Sequence, residues 1–169
     1  IPIISDTLVT GNLNFNFNLS GAGGGAVLGT SNAVVTIIEV NGVVQFSSST
    51  YVVAENVTNA LITVTRSGAI TNSLTVDYAT AAGGSAVPFT HYTPVNGTLS
   101  FTNGVTNQTF SVAIVDDQVA QPDRTVNLSL TSLLGVGSLG SINTATLTIV
   151  DNDVGLQFAP TNFTVQEAG

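Results

Sequence analysis

The stretch TIVDNDVGLQF (148–158) has a near copy earlier in the chain, TIIEVNGVVQF at residues 36–46. In both, an apolar run ends in a polar triplet, and a second apolar run ending in Phe follows almost at once. Similarity at a fixed spacing, here 112 positions, indicates a repeated structural unit. The triplet is Asp151-Asn152-Asp153 in the later copy and Glu39-Val40-Asn41 in the earlier one. The junction therefore recurs, but its carboxylates differ between the copies.

The repeat extends beyond this junction in both directions. Upstream, Ile3-Ile4-Ser5-Asp6 aligns with Ile114-Val115-Asp116-Asp117 at an offset of 111. Downstream, residues 156–169 repeat residues 44–57. The difference of one residue between the two offsets falls in Gly-rich loops, where insertions are tolerated. We therefore predict three segments: the C-terminal part of one unit at 1–42, a complete unit at 43–154, and the first strand of a following unit at 155–169.

The composition of the chain excludes several classes of function. The chain has 169 residues, a net charge of −8 and no Cys, and its two basic residues are Arg66 and Arg124. Nucleic-acid binding depends on Lys and Arg that neutralise phosphates, so we exclude it. No apolar run approaches the ~18 residues that span a bilayer, so we expect no membrane insertion. The chain begins with Ile1 rather than Met, which favours a processed protein or part of a longer one.

Apolar residues alternate with Thr, Ser and Asn in several short runs. Thr63 separates Ile62 from Val64, and the same period of two recurs in four later runs. This alternation is typical of strands with one buried face, and no run shows the period of an amphipathic helix. About seven such strands per unit, joined by Gly, Asn and Pro turns, predict an all-β sandwich. The residues predicted to face inward are Ile62, Val64, Leu74, Val76, Tyr78, Phe110, Val112, Ile114, Val126, Leu128, Leu130, Ala145, Leu147 and Ile149.

Six ordered motifs in the complete unit resemble the Calx-beta domain. The family pattern begins with a strand carrying Phe and Glu, continues through a Gly-Thr-Leu-x-Phe strand and an Asp-Asp loop, and closes on Ile-x-Asp-x-Asp. The resemblance implies an immunoglobulin-like antiparallel sandwich of seven strands. Such domains occur in sodium–calcium exchangers and, in tandem, in large bacterial surface and adhesion proteins. The motifs are Phe46 with Glu55, Val76-Asp77-Tyr78-Ala79-Thr80, Gly84-Ser85-Ala86 leading to His91-Tyr92, Gly97-Thr98-Leu99-Ser100-Phe101, Ile114-Val115-Asp116-Asp117 and Ile149-Val150-Asp151-Asn152-Asp153.

The resemblance also implies a calcium site at one end of the unit. In family members that bind calcium, the ligands come from the first-strand Glu, the acidic loop and the closing triplet. Ca²⁺ takes six to eight oxygen ligands, several of them carboxylates. Without a cation, two carboxylates ~4 Å apart repel each other by about 4 kcal/mol. The implied ligands are Glu55, Asp116, Asp117, the backbone carbonyl of Val119, Asp151, Asn152 and Asp153, with Asp123 nearby.

Departures from the family pattern leave an alternative open. His91 stands where the family has Asp, and Gln121 and Arg124 stand where it has Glu. The alternative is a turn cluster in which Asp and Asn bond to nearby backbone groups and Arg124 pairs with Asp116, Asp123 or Asp153. If calcium binds, we expect a weak site of about 10⁻⁴–10⁻³ M, as in extracellular modules. The preceding segment, which has Ser5 in place of Asp116, is expected to bind none.

The sequence gives little support to an enzyme. His91 is the single histidine, and no nucleophile motif lies near it. Asp116 and Asp117 are adjacent, whereas the paired carboxylates of a glycosidase flank one bond from opposite sides. The glycines of Gly21-Ala22-Gly23-Gly24-Gly25 are followed by neither a helix nor a Lys, which predicts a hairpin loop rather than a phosphate loop. We therefore predict no catalytic residues and no cofactor other than calcium.

These observations predict a non-catalytic spacer or scaffold segment of a long extracellular or cell-surface repeat protein or filament. The expected partners are neighbouring copies or repeat units of the same protein. One alternative is a fibre subunit in which strand 156–166 of one copy completes residues 1–42 of the next, since exposed strand edges recruit strands. Another is a calcium-binding adhesin that recognises a glycan or a protein through loops 81–96 or 132–142. The reduced set of acids disfavours an intracellular calcium regulator.

Overall fold

The computed structural model describes residues 2–4, 11–39, 41–156 and 164–167. Within these residues there are strands, turns and loops but no helix, which confirms the predicted all-β fold. Accordingly, these residues include no helix of the length and apolarity needed to cross a membrane. The strands are β1 (Leu13–Asn18), β2 (Asn32–Ile37), β3 (Gly42–Phe46), β4 (Thr50–Ala54), β5 (Asn59–Gly68), β6 (Leu74–Ala81), β7 (Asn96–Phe101), β8 (Asn107–Ala113), β9 (Arg124–Gly135), β10 (Gly137–Leu139) and β11 (Thr144–Val150).

Strands β3 to β11 form the two sheets of a sandwich. One sheet has the order β10-β3-β5-β8, and the other has the order β4-β11-β9-β6-β7. Neighbouring strands are antiparallel except for the short parallel pairs β3–β10 and β4–β11. The chain passes from one sheet to the other between β3 and β4, and again between β10 and β11. When β3 and β4 are counted as one divided strand, and β10 and β11 as another, the sandwich has the seven strands that were predicted.

Alternating side chains of the two sheets fill one core. On β5, Ile62 and Val64 are fully buried, whereas Thr63 is partly exposed. Burying a large apolar side chain in this way contributes about 1.5–3 kcal/mol. Every residue predicted to face inward is buried except Tyr78. Tyr78 is partly buried and stacks on Phe110 with 4.0 Å between the ring centroids.

Strands β1 and β2 form a separate two-stranded antiparallel sheet. Leu13 pairs with Ile37 at one end of this hairpin, and Asn18 pairs with Asn32 at the other. The Gly-rich stretch 21–25 lies in the loop between the strands, as predicted for a hairpin loop. Residues on both faces of the hairpin are exposed or only partly buried.

The predicted division into three repeat segments stays a prediction. β3 begins at Gly42 and β11 ends at Val150. The sandwich therefore begins one residue before the predicted central segment of 43–154 and ends inside it. Of the predicted strand at 155–169, residues 157–163, 168 and 169 lie outside the described residues, and residues 155–156 and 164–167 belong to no strand. Ser5 and Val40, which the repeat comparison used, also lie outside the described residues.

Candidate metal site

The acidic end of the sandwich begins where two parallel strands finish together. The pairing of β4 with β11 puts Ala54 opposite Val150 at the last position of both strands. Glu55 and Asp151 are the next residues along the chain, so they leave the sheet side by side. The Glu55 N–H extends the pairing by one step, because it donates to the Val150 carbonyl at 2.9 Å. The first-strand Glu and the closing triplet therefore meet through backbone geometry alone.

The acidic loop joins this end from the opposite sheet. β8 ends at Ala113, opposite Asn59 at the start of β5. The Ile114 N–H continues the contact by donating to the Thr58 carbonyl at 3.1 Å. Since residues 55–58 connect β4 to β5, the loop that starts at Asp116 leaves β8 beside the turn that carries Glu55. Acids from both sheets therefore converge at one end.

Local hydrogen bonds fix Asp117 within this loop. Its Oδ1 accepts from the Val119 N–H at 2.9 Å, which is a local Asx-type bond. Its Oδ2 accepts from Gln121 Nε2 at 2.8 Å. Gln118, between the bonded positions, has a φ of 59°, a left-handed conformation that is uncommon for a residue with a side chain. The loop thus turns sharply at Asp117 and holds its carboxylate in place.

Glu55, Asp117 and Asp153 form a compact group of carboxylates. One oxygen of each lies within 4.8 Å of the oxygens of the other two. Two ligands of one Ca²⁺ lie at most about 5 Å apart, because each Ca–O distance is about 2.3–2.6 Å. The spacing is therefore compatible with one shared ion. If all three groups are ionised without a cation, their like charges repel one another.

Several oxygens of this group lack hydrogen-bond donors. Glu55 is 2% exposed, and the described part of the chain provides no donor to its carboxylate. Asp151 Oδ1 and Asp153 Oδ2 are buried and also have no partner among the described residues. Buried acceptors are normally paired, and leaving one unpaired costs about 1–3 kcal/mol, more for a charged group. A cation bound by Glu55, Asp117 and Asp153 would give the Glu55 and Asp153 oxygens the partner they lack, so these three carboxylates fit calcium.

The electrostatics of the group follow from burial and mutual repulsion. Burial raises the pKa of Glu55, and the negative charges of Asp117, Asp151, Asp153 and Asp116 raise it further. Burial also raises the pKa of Asp153, with Asp116, Asp151 and Asp117 adding to the effect. Both shifts mean that the surroundings disfavour the ionised carboxylates. A divalent cation bound between these carboxylates would favour their ionised forms and so lower both pKa values.

The ion pairs proposed for Arg124 in the turn-cluster alternative are not formed. Its Nη2 and Nε donate instead to Gln121 Oε1 at 3.1 and 3.3 Å. Gln121 is therefore clamped between Arg124 and Asp117, because its amide nitrogen is bonded to Asp117. Asp123 Oδ1 accepts from the Asp151 N–H at 3.2 Å. One Asx bond of the alternative is present, at Asp117, but the guanidinium does not replace a metal charge at the carboxylates.

The predicted ligands divide into two sets. Glu55, Asp117 and Asp153 come together directly, and Asp116 and Asp151 are close enough to raise pKa values within the group. Asn152 and Val119 are exposed, and their assignment as ligands stays a prediction. Gln121, which stands where the family has Glu, has a role that its sequence position does not reveal, because its amide positions the Asp117 carboxylate. The signal available in the sequence was its spacing of four residues from Asp117.

The remaining candidate for catalysis is part of the packing. His91 is 5% exposed, and its Nδ1 accepts from the Val87 N–H at 2.7 Å. Both the burial and the backbone bond are typical of a structural histidine. Tyr92, which follows it, belongs to the core.

Known proteins resemble the part of the chain that carries this site. The chain is similar to sodium/calcium exchanger 1 of Rattus norvegicus, with 32% identity over 126 residues, which are 64% of the chain and 13% of that protein. It spans only this small share of the curated relative's length.

Solved structures give the same result. The crystal structure of the apo-form Calx CBD1 domain matches with a TM-score of 0.64 and 30% identity over 67% of this chain and 99% of that one. The crystal structure of the calcium binding domain CBD12 of CALX1.1 matches with a TM-score of 0.59 and 29% identity over 65% and 44% of the two chains. The Calx-beta domain pattern itself matches residues 38–153, which include the whole sandwich and all three carboxylates of the group. The chain therefore belongs to the Calx-beta family.

Proposed function

We propose that the chain is a non-catalytic structural module of a long extracellular repeat protein or filament, and that its sandwich binds calcium weakly at the acidic end. The carboxylates of Glu55, Asp117 and Asp153 hold the ion, and Asp116 and Asp151 complete the negative site. The observation that carries this proposal is the buried Glu55 carboxylate, which faces two other acids and has no donor among the described residues. The calcium binding domain that this chain resembles supports the assignment.

Calcium at this site would act on structure. Glu55, Asp117 and Asp153 lie on three separate segments, so one ion ties together the β4–β5 turn, the acidic loop and the chain leaving β11. That last segment also packs against the loop, because the position of a Cβ on Gly155 would lie 3.4 Å from the Ala120 Cβ. Binding therefore stiffens the point at which the chain leaves the sandwich.

The composition supports a spacer outside the cell. Only 7% of the residues are charged, and the outward positions of the strands are mainly Thr, Ser and Asn. A site with millimolar affinity would be filled where calcium is abundant, as for extracellular modules. The partners of such a module are neighbouring copies or repeat units of the same protein. Electron microscopy of native material should show regularly spaced beads, and a compact particle without such beads would contradict the spacer role.

Thermal melting with calcium tests the metal site. For a dissociation constant near 1 mM, 10 mM Ca²⁺ stabilises the folded state by roughly 1.4 kcal/mol, which raises the melting temperature by roughly 5 °C. The variant Glu55→Gln should lose this response, because the amide keeps the shape but removes the buried charge. Isothermal titration calorimetry on the same samples should show binding heat for the native chain only.

A matched variant controls for the loss of one negative charge. Glu167→Gln makes the same chemical change at an exposed position that does not belong to the carboxylate group, so it should keep the full calcium response. If the native chain shows neither a melting shift nor binding heat at 10 mM Ca²⁺, the calcium site does not exist. An equal calcium response in Glu55→Gln would place the ion elsewhere.

One observation favours adhesion as a second function. Phe89, in the loop 81–96, is 77% exposed and has a left-handed φ of 65°. An exposed aromatic side chain on a constrained backbone is suited to contact a partner. A glycan array or a cell-binding assay that responds to the native chain but not to Phe89→Ser would support an adhesin. If the native chain binds nothing in either assay, adhesion is contradicted and the spacer role is the remaining proposal.

A further inference from the structure

The hairpin of β1 and β2 has one continuous apolar face. Three residues of β1 alternate toward it, and their partners on β2 lie directly opposite. Phe15 and Phe17 contact each other with ring centroids 5.4 Å apart. Phe17 is nonetheless 43% exposed and Leu13 is 53% exposed. The six residues of this apolar face are Leu13, Phe15, Phe17, Ala33, Val35 and Ile37.

This hairpin has the same register as the β9–β11 pair of the sandwich. An offset of 111 on the first strand and 112 on the second converts the residue pairs of one hairpin into those of the other. The side chains are replaced by others of similar apolar character, except that Leu13 corresponds to Arg124. The matched pairs are Leu13–Ile37 with Arg124–Ile149, Phe15–Val35 with Val126–Leu147, and Phe17–Ala33 with Leu128–Ala145.

Two hydrogen bonds outside the strand ladders repeat as well. The Glu39 N–H donates to Asn12 Oδ1 at 2.8 Å, just as the Asp151 N–H donates to Asp123 Oδ1 at 3.2 Å. At the loop end, the Leu19 N–H donates to the Ser31 carbonyl at 2.7 Å, and its equivalent Leu130 N–H donates to the Asn143 carbonyl at 2.8 Å. The hairpin therefore repeats both the pairing and the end geometry of β9–β11.

The equivalence specifies what covers the apolar face. In the sandwich, the corresponding face of β9 and β11 is buried against a sheet of β3, β5 and β8. That sheet contributes alternating apolar side chains, such as Val44, Ile62 and Phe110, together with one buried charge, Arg66, on the inward face of β5. The Arg66 guanidinium donates to the carbonyls of Ala69 and Phe101, so the surface that this sheet presents is mainly apolar, as the hairpin face is.

The size of the face decides how such a sheet is supplied. Six residues on each of two strands cover roughly 20 Å by 10 Å, or about 200 Å². A stable interface between separate proteins needs about 800 Å² from each partner. A second copy of this chain docked on this face alone would not reach that size. A sheet within the same polypeptide needs no such area, because no translational freedom is lost.

We propose that the β1–β2 hairpin is the closing hairpin of another Calx-beta sandwich, and that its apolar face packs on a β3–β5–β8-type sheet that precedes it in the same polypeptide. This inference rests on the repeat architecture of the proposed function, but it is independent of calcium. It gives the hairpin a defined interaction surface and a partner of defined chemistry.

A graft onto the full chain tests the proposal. Residue 3 corresponds to residue 114, so a second copy of residues 42–113 placed directly before Ile3 supplies the proposed sheet at the matching position. Hydrogen exchange of the amides in β1 and β2 should be slow in the graft, at least ~100-fold slower than in the unmodified chain. Scanning calorimetry should show a second cooperative transition. Equal exchange rates in the two chains would overturn the proposal.

Two further chains keep the outcome decisive. In the first, Ile62→Asp and Val112→Asp are placed in the grafted copy only, and protection of the hairpin should be lost while the central sandwich melts as before. In the second, a duplicate of residues 42–153 replaces the graft and shows whether a complete sandwich placed before Ile3 folds. A graft that stays unfolded where the duplicate folds would overturn the proposal. So would a hairpin already protected in the unmodified chain, whether in a monomer or in a dimer detected by analytical ultracentrifugation.

The second sandwich and the metal site can fail independently of each other. A failed graft together with a normal calcium response would remove the second sandwich and leave the metal site intact. A successful graft with no calcium response would do the reverse.

Discussion

Glu55 combines nearly complete burial with four acidic neighbours, and this combination raises its pKa. An ionised carboxylate at this position stabilises the folded state when a cation is bound and destabilises it when no cation is bound. A packing requirement alone would be met by Gln or Leu at this point. The presence of a carboxylate where it costs stability is therefore the strongest indication, at the scale of one residue, that the site serves binding.

The raised pKa values predict an unusual dependence of stability on pH. The folded state holds the protons of Glu55 and Asp153 to higher pH than the unfolded state, which releases them near pH 4. The free energy of unfolding therefore falls as the pH rises from about 4 through the folded-state pKa values. In the presence of a chelator, we expect a higher melting temperature at pH 5 than at pH 7.

Calcium should remove this difference by binding the ionised carboxylates, so its stabilising effect should be larger at pH 7 than at pH 5. The melting temperature of Glu55→Gln should change less between the two pH values. A native chain whose melting temperature is constant or rises from pH 5 to pH 7 in chelator would contradict the assigned shifts.

At the scale of the strand, the alternation of apolar and polar residues correctly predicted thirteen residues of the core, and Tyr78 is the one predicted residue that is only partly buried. It did not identify seven other core residues, which are Val44, Phe46, Ala60, Ala86, Tyr92, Leu99 and Phe101. The alternation does not show where a strand changes sheets, because both halves keep a period of two. Consequently, the break between β3 and β4 was not predicted, nor was the parallel pairing of β4 with β11.

That pairing also explains which part of the metal site was predictable. The family motifs identify the acids by type and order along the chain. Which oxygens converge depends on the shared end of β4 and β11 and on the turn at Asp117, and both are three-dimensional features. The role of Gln121 is of the same kind, since its amide bridges two side chains that only the folded loop brings together.

The β11 strand offers a direct test of the core. Leu147 is fully buried in the sandwich, so Leu147→Ala should lower the free energy of unfolding by about 2–5 kcal/mol through lost contacts and a cavity. Leu61, on β5, is 63% exposed, and Leu61→Ala should cost less than about 0.5 kcal/mol. Urea unfolding monitored by circular dichroism measures both values. Similar costs for the two variants would show that the sheets do not pack as described.

At the scale of the whole molecule, the chain combines a complete sandwich with a separate hairpin. The core of the sandwich draws its buried apolar residues from Val44 to Ile149, and none of them comes from β1 or β2. The link between the two parts is short and bonded to the sandwich, because the Asn41 carbonyl accepts from the Ala69 N–H at 3.0 Å. Glu55, Asp117 and Asp153 lie on three segments of the chain that meet at the end of the sandwich where β11 finishes.

This division predicts that the sandwich folds and binds calcium without the hairpin. A chain of residues 38–169 keeps the whole core and the Asn41–Ala69 bond, so its melting temperature should stay within about 3 °C of the full chain, a change below ~1 kcal/mol. A chain of residues 46–169 is the control, because it removes most of β3 and with it Val44, and it should be unfolded at room temperature. Scanning calorimetry with and without 10 mM Ca²⁺ measures both stability and metal response. If the melting temperature of the 38–169 chain falls by several degrees, the hairpin packs on the sandwich. Its apolar face would then already have a partner within residues 1–169.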